Sequence, residues 1–210
     1  MSDLHYTSLI ELSATDVHKL KITDAYSLHR VVYSLFDDKR SDAEKSSSIG
    51  SGILFCEIAP TSSVRRVLVI SDREPINDAP LSSMVTKAIS PDLFDYECYR
   101  FDVVINPTSR NSASKKLIPI KGAEAIKTWF IERTENNWGF ACDVESVEAR
   151  VLPVQKFVKD SMTVTNNAAR ITGVLRVVDK EKFQSSFYQG LGRGRAFGFG
   201  LLQIVPIKVS

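Results

Sequence analysis

The sequence is poor in the residues that bind metals or form disulfides. Only three of its 210 residues are cysteines and three are histidines, and it contains no CxxC pair. Cys56, Cys98 and Cys142 are odd in number and far apart, so neither a zinc site nor a disulfide framework is indicated. We expect reduced thiols, a cytoplasmic location and no cofactor.

Long apolar runs and a strong net charge are also lacking. The longest apolar runs, such as residues 67–70, are as short as a strand, so we expect neither a signal peptide nor a membrane span. The net charge is +2 and the pI is about 8.4, which argues against a nucleic-acid coat over the whole surface. Contacts to phosphates must therefore come from local patches. The 43% hydrophobic and 25% charged residues are typical of a globular protein with a core.

Glycine is concentrated in one segment. Residues 190–200 hold five of the ten glycines, together with Arg193 and Arg195. Glycine is costly to order, but it lets a backbone approach another molecule closely and aim N–H groups at it. Two arginines in such a loop favour a partner that carries phosphates.

Nucleotide-cofactor motifs do not explain this segment. Arg195 occupies the place of the third glycine in a dinucleotide fingerprint, and the loop precedes a predicted strand rather than a helix. The sequence contains no P-loop string. The remaining alternative to a binding loop is a flexible turn.

The order of predicted elements indicates the fold. We predict a strand at 6–12, a helix at 24–36 capped by Thr23 or Asp24, and strands at 52–59 and 66–71. A polar loop is predicted at 41–51, and residues 81–89 fit either a helix or a strand. The second set comprises a strand at 99–105, a helix from 123 to about 136, strands at 148–154 and 169–178, a short helix after Asp179 and a closing strand at 198–207. This order, found twice, predicts an α+β protein of two tandem ferredoxin-like domains, at 1–95 and 96–210.

The first helix has two distinct faces. Its apolar stripe contains Leu28, Val31, Val32 and Leu35, and the opposite face contains Tyr26, His29, Arg30 and Tyr33. An imidazole beside phenols and a guanidinium suits proton transfer near a phosphate. The alternative is a solvated face without a role. We interpret His5, on the first strand, and His18, in a loop, as surface residues.

Two further basic patches lie in predicted loops. One follows the Asn106-Pro107 turn and contains Arg110, Lys115 and Lys116; the other contains Lys156, Lys159 and Arg170. Each patch alone fits a solvated loop. Together with the glycine segment they suit a charged backbone, which phosphate contacts position without reading its sequence. No acidic cluster is typical of a two-metal nuclease.

Four motifs in register resemble the CasE-type CRISPR RNA endoribonucleases, the repeat-processing subunits of Cascade-like complexes. They are Tyr26-Ser-Leu-His29 on the first helix, a strand ending in Asn106-Pro107 before basic residues, Ala123-Glu124 with Trp129 on the second helix, and Gly190 to Leu202. The resemblance covers nearly the whole chain.

The resemblance implies a function in CRISPR antiviral defence. It implies two domains of the RNA-recognition-motif kind, binding of the hairpin repeat of precursor CRISPR RNA, and metal-independent cleavage at the base of the stem. It also implies retention of the mature guide and partnership with RNA and other Cascade subunits, with no membrane. Cleavage of this kind uses the 2′-hydroxyl as nucleophile and leaves a 2′,3′-cyclic phosphate and a 5′-hydroxyl. The alternative is a non-catalytic RNA-binding scaffold subunit.

The resemblance also implies roles for individual residues. His29 is the acid–base residue, in either role, Tyr26 is its partner, and Arg195 stabilises charge on the phosphate. The expected RNA-binding residues are Arg30, Arg110, Lys115, Lys116, Lys156, Lys159, Arg170, Gly190, Gly192, Arg193, Gly194 and Gly198. The chain departs from the family pattern at Arg195, where the family has lysine, and at Arg193, where it has proline. Residues 41–91 match the family poorly.

Overall fold

The computed structural model describes residues 4–41, 43, 50–61, 64–76, 81 and 83–208. The chain forms two compact units. Unit 1 is Met1–Ile89 with Ala196–Gly198, and unit 2 is Ser90–Arg195 with Phe199–Ser210. The division into domains at residues 1–95 and 96–210 stays a prediction. Among the described residues, no helix has the length and apolar character needed to cross a bilayer.

Unit 1 is built on a four-stranded antiparallel sheet. Its elements are β1 (Tyr6–Leu12), α1 (Ala14–Lys19), α2 (Ala25–Ser34), β2 (Ile53–Thr61), β3 (Val64–Ser71) and β4 (Ser83–Ala88). The strands lie in the order β2-β3-β1-β4. This order places the first strand between the third and the fourth, as the ferredoxin-like fold requires.

Helix α2 covers this sheet with its apolar stripe. Leu28 and Val32 are buried in one cluster with Ile10 on β1 and with Val67 and Val69 on β3. Burial of this stripe fixes the rotation of the helix, since side chains three and four residues apart share a face. The opposite face of α2 is the one that bears His29.

Hydrogen bonds hold both ends of α2. The carboxylate of Asp24 accepts a hydrogen bond from the Ser27 backbone N–H at 2.8 Å, and Ser27 Oγ accepts one from the Asp24 N–H at 2.9 Å. This reciprocal capping box confirms Asp24, rather than Thr23, as the N-cap. The Ser27 N–H holds the pKa of Asp24 below its usual value. At the other end, the Leu35 carbonyl accepts from Ile76 N–H at 2.7 Å.

Unit 2 has the same plan with a longer sheet. Its elements are β5 (Cys98–Ile105), β6 (Thr108–Arg110), β7 (Leu117–Pro119), α3 (Ala123–Arg133), β8 (Phe140–Cys142), β9 (Glu148–Lys159), β10 (Met162–Val177), α4 (Lys180–Gln189) and β11 (Gln203–Ile207). The main sheet has the order β11-β5-β10-β8, and β9 also pairs with β10. Strands β8 and β9 therefore pair with successive parts of β10 as one interrupted edge.

Aromatic rings fill the core of unit 2. Phe130 on α3 stacks at 5.7 Å from Phe101 on β5, and Phe183 on α4 lies 5.4 Å from Tyr99, between ring centroids. All four side chains are buried. Both units thus have the predicted ferredoxin-like order, and the predicted fold class is confirmed.

Several local predictions differ from the structure. Residues 83–88, which fitted either element, form strand β4, and His18 lies on helix α1 rather than in a loop, although it is exposed as expected. The closing strand begins at Gln203, not at residue 198. Most of the loop predicted at 41–51 lies outside the described residues, as do residues 77–80 and 82.

The glycine segment is a closed loop between α4 and β11. Its five glycines, Gly190, Gly192, Gly194, Gly198 and Gly200, all have φ between 72° and 88°. The loop closes through a hydrogen bond from Leu191 N–H to the Gly200 carbonyl, 2.8 Å, and Gly200 N–H donates to the Val104 carbonyl on β5 at 2.7 Å. Buried Leu191, Phe199, Leu201 and Leu202 anchor both ends. Backbone hydrogen bonds and buried side chains therefore close and anchor the ends of the loop.

We predict that Gly200→Ala destabilises the protein more than Gly192→Ala does. Both residues have positive φ, so each substitution costs about 1–2 kcal/mol in backbone strain. A Cβ on Gly200 would also lie 2.3 Å from the Leu191 carbonyl oxygen, whereas a Cβ on Gly192 meets nothing within 4 Å. Urea unfolding followed by circular dichroism measures the difference. Equal midpoints for the two variants would contradict the close approach.

A second prediction concerns the N-cap of α2. Asp24→Ala should cost about 0.5–2 kcal/mol at neutral pH, while Asp24→Asn, which retains a capping oxygen, should cost less. Because the pKa of Asp24 is lowered in the folded state, its contribution is present above about pH 3.9 and is lost as the pH falls through the folded pKa. The stability gap between wild type and Asp24→Ala, measured by urea unfolding, should therefore narrow in acid. A gap that widens in acid would refute this assignment.

Candidate functional site

His29 lies in a cluster of aromatic rings on the second face of α2. Its ring centroid is 4.1 Å from that of Tyr33, 5.4 Å from that of Phe197 and 6.1 Å from that of Tyr26, all within unit 1. The Tyr26 ring is nearly parallel to the imidazole, with 15° between the planes. His29 is half-buried. The imidazole is therefore held by ring contacts and retains some access to solvent.

Phe197 connects this cluster to the glycine loop. Phe197 lies between Ala196 and Gly198 in the sequence. These three residues of the glycine segment belong to unit 1. A Cβ on Gly198 would lie 3.6 Å from the Phe55 ring, so the loop backbone approaches the core of unit 1 here. Within unit 1, the predicted acid–base residue thus contacts Phe197, a residue of the glycine segment.

The other predicted residues of this region are more exposed. Arg30 follows His29 on α2 and is exposed. Arg195 and Arg193 are exposed on the loop, and Arg195 Nη1 donates to the Gln189 carbonyl at 2.8 Å, at the end of α4. That bond uses one donor of the Arg195 guanidinium and leaves others for an anion, because the group has five N–H donors.

The patch after Asn106-Pro107 forms a hairpin tip. Strands β6 and β7 pair Arg110 with Leu117, and the turn between them carries Lys115 and Lys116. All three basic residues are exposed, and in the described part of the chain neither lysine has an ion pair. Asn111 Oδ1 accepts from the Ser114 N–H at 2.8 Å, which orders the turn. The structure thus gathers these three cations at one exposed point.

The second patch is more dispersed. Lys156 and Lys159 are exposed on β9, and their separation of three residues directs them to opposite faces of the strand. Arg170 on β10 is exposed but already donates to the carboxylate of Asp102 on β5, with 2.9 Å from Nε to Oδ1. A phosphate at Arg170 would have to share it with Asp102.

Two further exposed arginines of the same sheet as Arg170 were not predicted from the sequence. Arg150 on β9 lies directly opposite Arg170, and Arg100 on β5 lies opposite Val174 on β10; both arginines are exposed. Like charges placed directly opposite each other are unfavourable in a sheet. Only the strand register reveals that Arg150 and Arg170 form such a pair.

Thiol chemistry is not supported at the described cysteines. None of the three forms a disulfide, and Cys56 and Cys98 are buried. Burial raises the pKa of the Cys142 thiol to about 12, which leaves almost no thiolate nucleophile at neutral pH. Within the described ranges, no three His, Cys, Asp or Glu side chains are grouped as a metal site.

Sequence comparison gives a match over nearly the whole chain. Residues 5–206 match the family described as CRISPR associated protein. No curated protein matches the chain by sequence.

Solved structures share the fold at low identity. The CRISPR endoribonuclease Cse3 bound to a 19 nt RNA is 22% identical, with a TM-score of 0.73, over 97% of this chain and 99% of that one. Thermus thermophilus Cse3, bound to an RNA representing a pre-cleavage complex, is 23% identical, with a TM-score of 0.74, over 97% and 100%. A chain of a CRISPR RNA-guided surveillance complex is 18% identical, with a TM-score of 0.65, over 96% and 100%.

Two ferredoxin-like sheets, the closed glycine loop and the match over residues 5–206 agree with one another. The chain belongs to the CRISPR-associated protein family.

Proposed function

We propose that this protein is a metal-independent endoribonuclease that binds the hairpin repeat of precursor CRISPR RNA and cleaves it at the base of the stem. The observation that carries the proposal is the contact of His29 with Phe197 inside unit 1, because Phe197 belongs to the glycine-rich segment whose sequence also contains Arg193 and Arg195. Cse3, which shares the fold, is an endoribonuclease that has been solved with bound RNA.

The chemistry needs few protein groups. RNA supplies its own nucleophile, the 2′-hydroxyl beside the scissile phosphate. That oxygen attacks phosphorus in line with the leaving 5′-oxygen, the P–O5′ bond breaks, and the products are a 2′,3′-cyclic phosphate and a 5′-hydroxyl. One proton must leave the 2′-oxygen and one must reach the 5′-oxygen. His29 carries one of these two transfers, as acid or as base.

The remaining groups orient the substrate and stabilise charge. Tyr26, whose ring is parallel to the imidazole, donates to the phosphate or orients the ribose. The Arg195 guanidinium and the N–H groups of the glycine loop stabilise the charge that grows on the pentavalent phosphorus. Arginine does not exchange protons near neutral pH, so Arg195 contributes charge and not proton transfer.

The exposed cations bind the stem. An A-form helix has a deep major groove that side chains read poorly, so binding relies on backbone charge and shape. The hairpin tip with Lys115 and Lys116, together with Lys156 and Lys159, supplies that charge. The protein retains the cleaved guide and joins other subunits of a Cascade-like complex, as the shared fold with a surveillance-complex chain supports.

We predict that His29→Ala abolishes cleavage and leaves RNA binding intact. Labelled hairpin repeat RNA, incubated with excess protein in chelator, should be cut by wild type and at least about 100-fold more slowly by the variant, since a positioned acid–base group is worth about 10²–10⁴ in rate. His18→Ala, at an exposed histidine on α1, is the matched control and should cleave at the wild-type rate.

The same assay distinguishes the endoribonuclease from a non-catalytic scaffold subunit. A 2′-deoxy nucleotide at the cleavage position should bind and resist cutting, because the nucleophile is missing. Binding of the unmodified RNA by wild type without cleavage would contradict the enzyme and support a scaffold subunit. Cleavage that needs added divalent metal would contradict the metal-independent mechanism.

A further prediction concerns the hairpin tip. Lys115→Ser with Lys116→Ser should weaken binding to every hairpin sequence and lower the slope of log affinity against log salt by about 1 for each phosphate that the protein no longer neutralises. Lys180→Ser with Lys182→Ser removes the same charge from lysines already paired with Asp95 and Asp179, and should change the slope little. Filter binding over a salt series measures both. Equal slopes for the two double variants would refute the assignment.

A further inference from the structure

Tyr33 has the closest of the ring contacts to His29. The two residues are four positions apart on α2, one turn of the helix, and their ring centroids are 4.1 Å apart with 48° between the planes. Tyr26 and Phe197 are farther away, at 6.1 and 5.4 Å. The Tyr33 ring is therefore the nearest of these surfaces that limits where the imidazole can turn.

The Tyr33 hydroxyl is held from outside its own helix. Ser51 Oγ lies 2.9 Å from Tyr33 Oη and donates a hydrogen bond to it. The Ser51 carbonyl accepts a hydrogen bond from Arg73 Nη1 at 3.1 Å. The same Arg73 nitrogen is bonded to the carboxylate of Asp72. A chain of contacts thus runs from the Asp72–Arg73 pair through Ser51 to the ring beside His29.

At the far end of this chain Arg73 is buried and Asp72 is exposed. The Arg73 side chain is only 8% exposed, and its guanidinium carbon lies 6.0 Å from the centre of the Phe36 ring. Asp72 N–H donates to the Gly52 carbonyl at 3.1 Å. Hydrogen bonds to charged groups are stronger than neutral ones, so this pair is a firm support for Ser51.

Gly52 makes the arrangement possible. Its φ is +73°, and a Cβ at this position would lie 2.1 Å from Asp72 Oδ2. Any other residue would push the carboxylate away from Arg73. The turn at 51–52 therefore places Ser51 toward Tyr33 and the carboxylate toward Arg73 at the same time.

We propose that Tyr33 is a positioning residue for His29, and that Ser51, Arg73 and Asp72 hold the Tyr33 ring in place. This inference rests on the proposed function and deepens it. Transfer of a proton to or from RNA requires the imidazole nitrogen at a fixed point, and a misplacement of about 1 Å can cost about 100-fold in rate. Tyr33 acts through His29 and does not itself touch the reacting atoms.

Three variants separate the ring from its hydroxyl. Tyr33→Leu removes the ring, Tyr33→Phe keeps the ring and removes the hydroxyl, and Ser51→Ala removes the bond to it. In single-turnover cleavage at saturating RNA, Tyr33→Leu should be slowed about ten- to hundred-fold. The other two should be slowed equally and less, and RNA affinity should stay within about twofold for all three.

The double variant tests whether Ser51 and Tyr33 act as one unit. Tyr33→Phe with Ser51→Ala should be no slower than either single variant, because both remove the same hydrogen bond. Ser34→Ala removes a hydroxyl from the neighbouring, exposed residue of α2, which bonds the Val31 carbonyl, and is the matched control. Additive slowing in the double variant, or equal slowing by Ser34→Ala, would overturn the proposal.

A measurement without RNA distinguishes this inference from the proposed function. The NMR resonance of the His29 ring proton should move in Tyr33→Phe and in Ser51→Ala, in the same direction, and stay in place in Ser34→Ala. The His18 resonance should not move in any of them. Unmoved His29 signals would overturn the positioning role. Moved signals in a protein that cuts no RNA would support the contact while refuting the nuclease.

Discussion

The burial of one side of α2 is the constraint from which the site follows. Leu28 and Val32 are almost fully buried against β1 and β3, and a helix cannot rotate about its axis without exposing them. Positions 26, 29 and 33 then lie together on the other side, because three and four residues make about one turn. The core of unit 1 thereby sets the direction of the imidazole before any partner contributes.

The glycine loop is constrained by its backbone conformation rather than by burial. A chain that turns repeatedly with positive φ excludes ordinary side chains, and here five of eleven residues are glycine for that reason. Gly200 also lets the loop close on Leu191, where a Cβ would collide with backbone. The loop is thus closed by backbone hydrogen bonds although it is rich in glycine. Rigid N–H groups suit charge stabilisation, since they need no reorganisation when the charge develops.

The parts that the sequence predicted well are those with a strong period or a strong cap. Strand β1, helix α2 with Asp24, and the alternation of β5 were visible because burial there follows a regular spacing. The prediction for strand β4 was ambiguous between helix and strand. This strand lies at the edge of the sheet and Val85 is exposed, so its apolar residues do not mark a single buried face. Strands β6 and β7 have three residues each, too few to show any period.

Only part of the candidate site could be predicted from the sequence, because only some of its contacts are between residues close in sequence. A helical wheel places Tyr26, His29 and Tyr33 on one face, since their spacing is local. It says nothing about Ser51, eighteen residues from Tyr33, or Phe197, which comes from the far end of the chain. Contacts at such separations depend on the turn at Gly52 and on the closed loop, and neither has a period that a single sequence displays.

When an imidazole transfers a proton with few assisting groups, the rate depends more on the position of the ring than on its acidity. A two-metal nuclease stabilises its transition state with two cations that several ligands hold. A small displacement of one side chain therefore has a limited effect there. In the proposed mechanism a single ring carries a proton transfer while Arg195 and the loop supply charge, so a displacement of that ring is not shared with other groups. The contacts around His29 meet this need: a capped helix, a ring one turn away, and behind it a buried arginine paired with Asp72. Under this proposal, residues outside the reacting site, Asp72 and Arg73 among them, bear on catalysis through geometry.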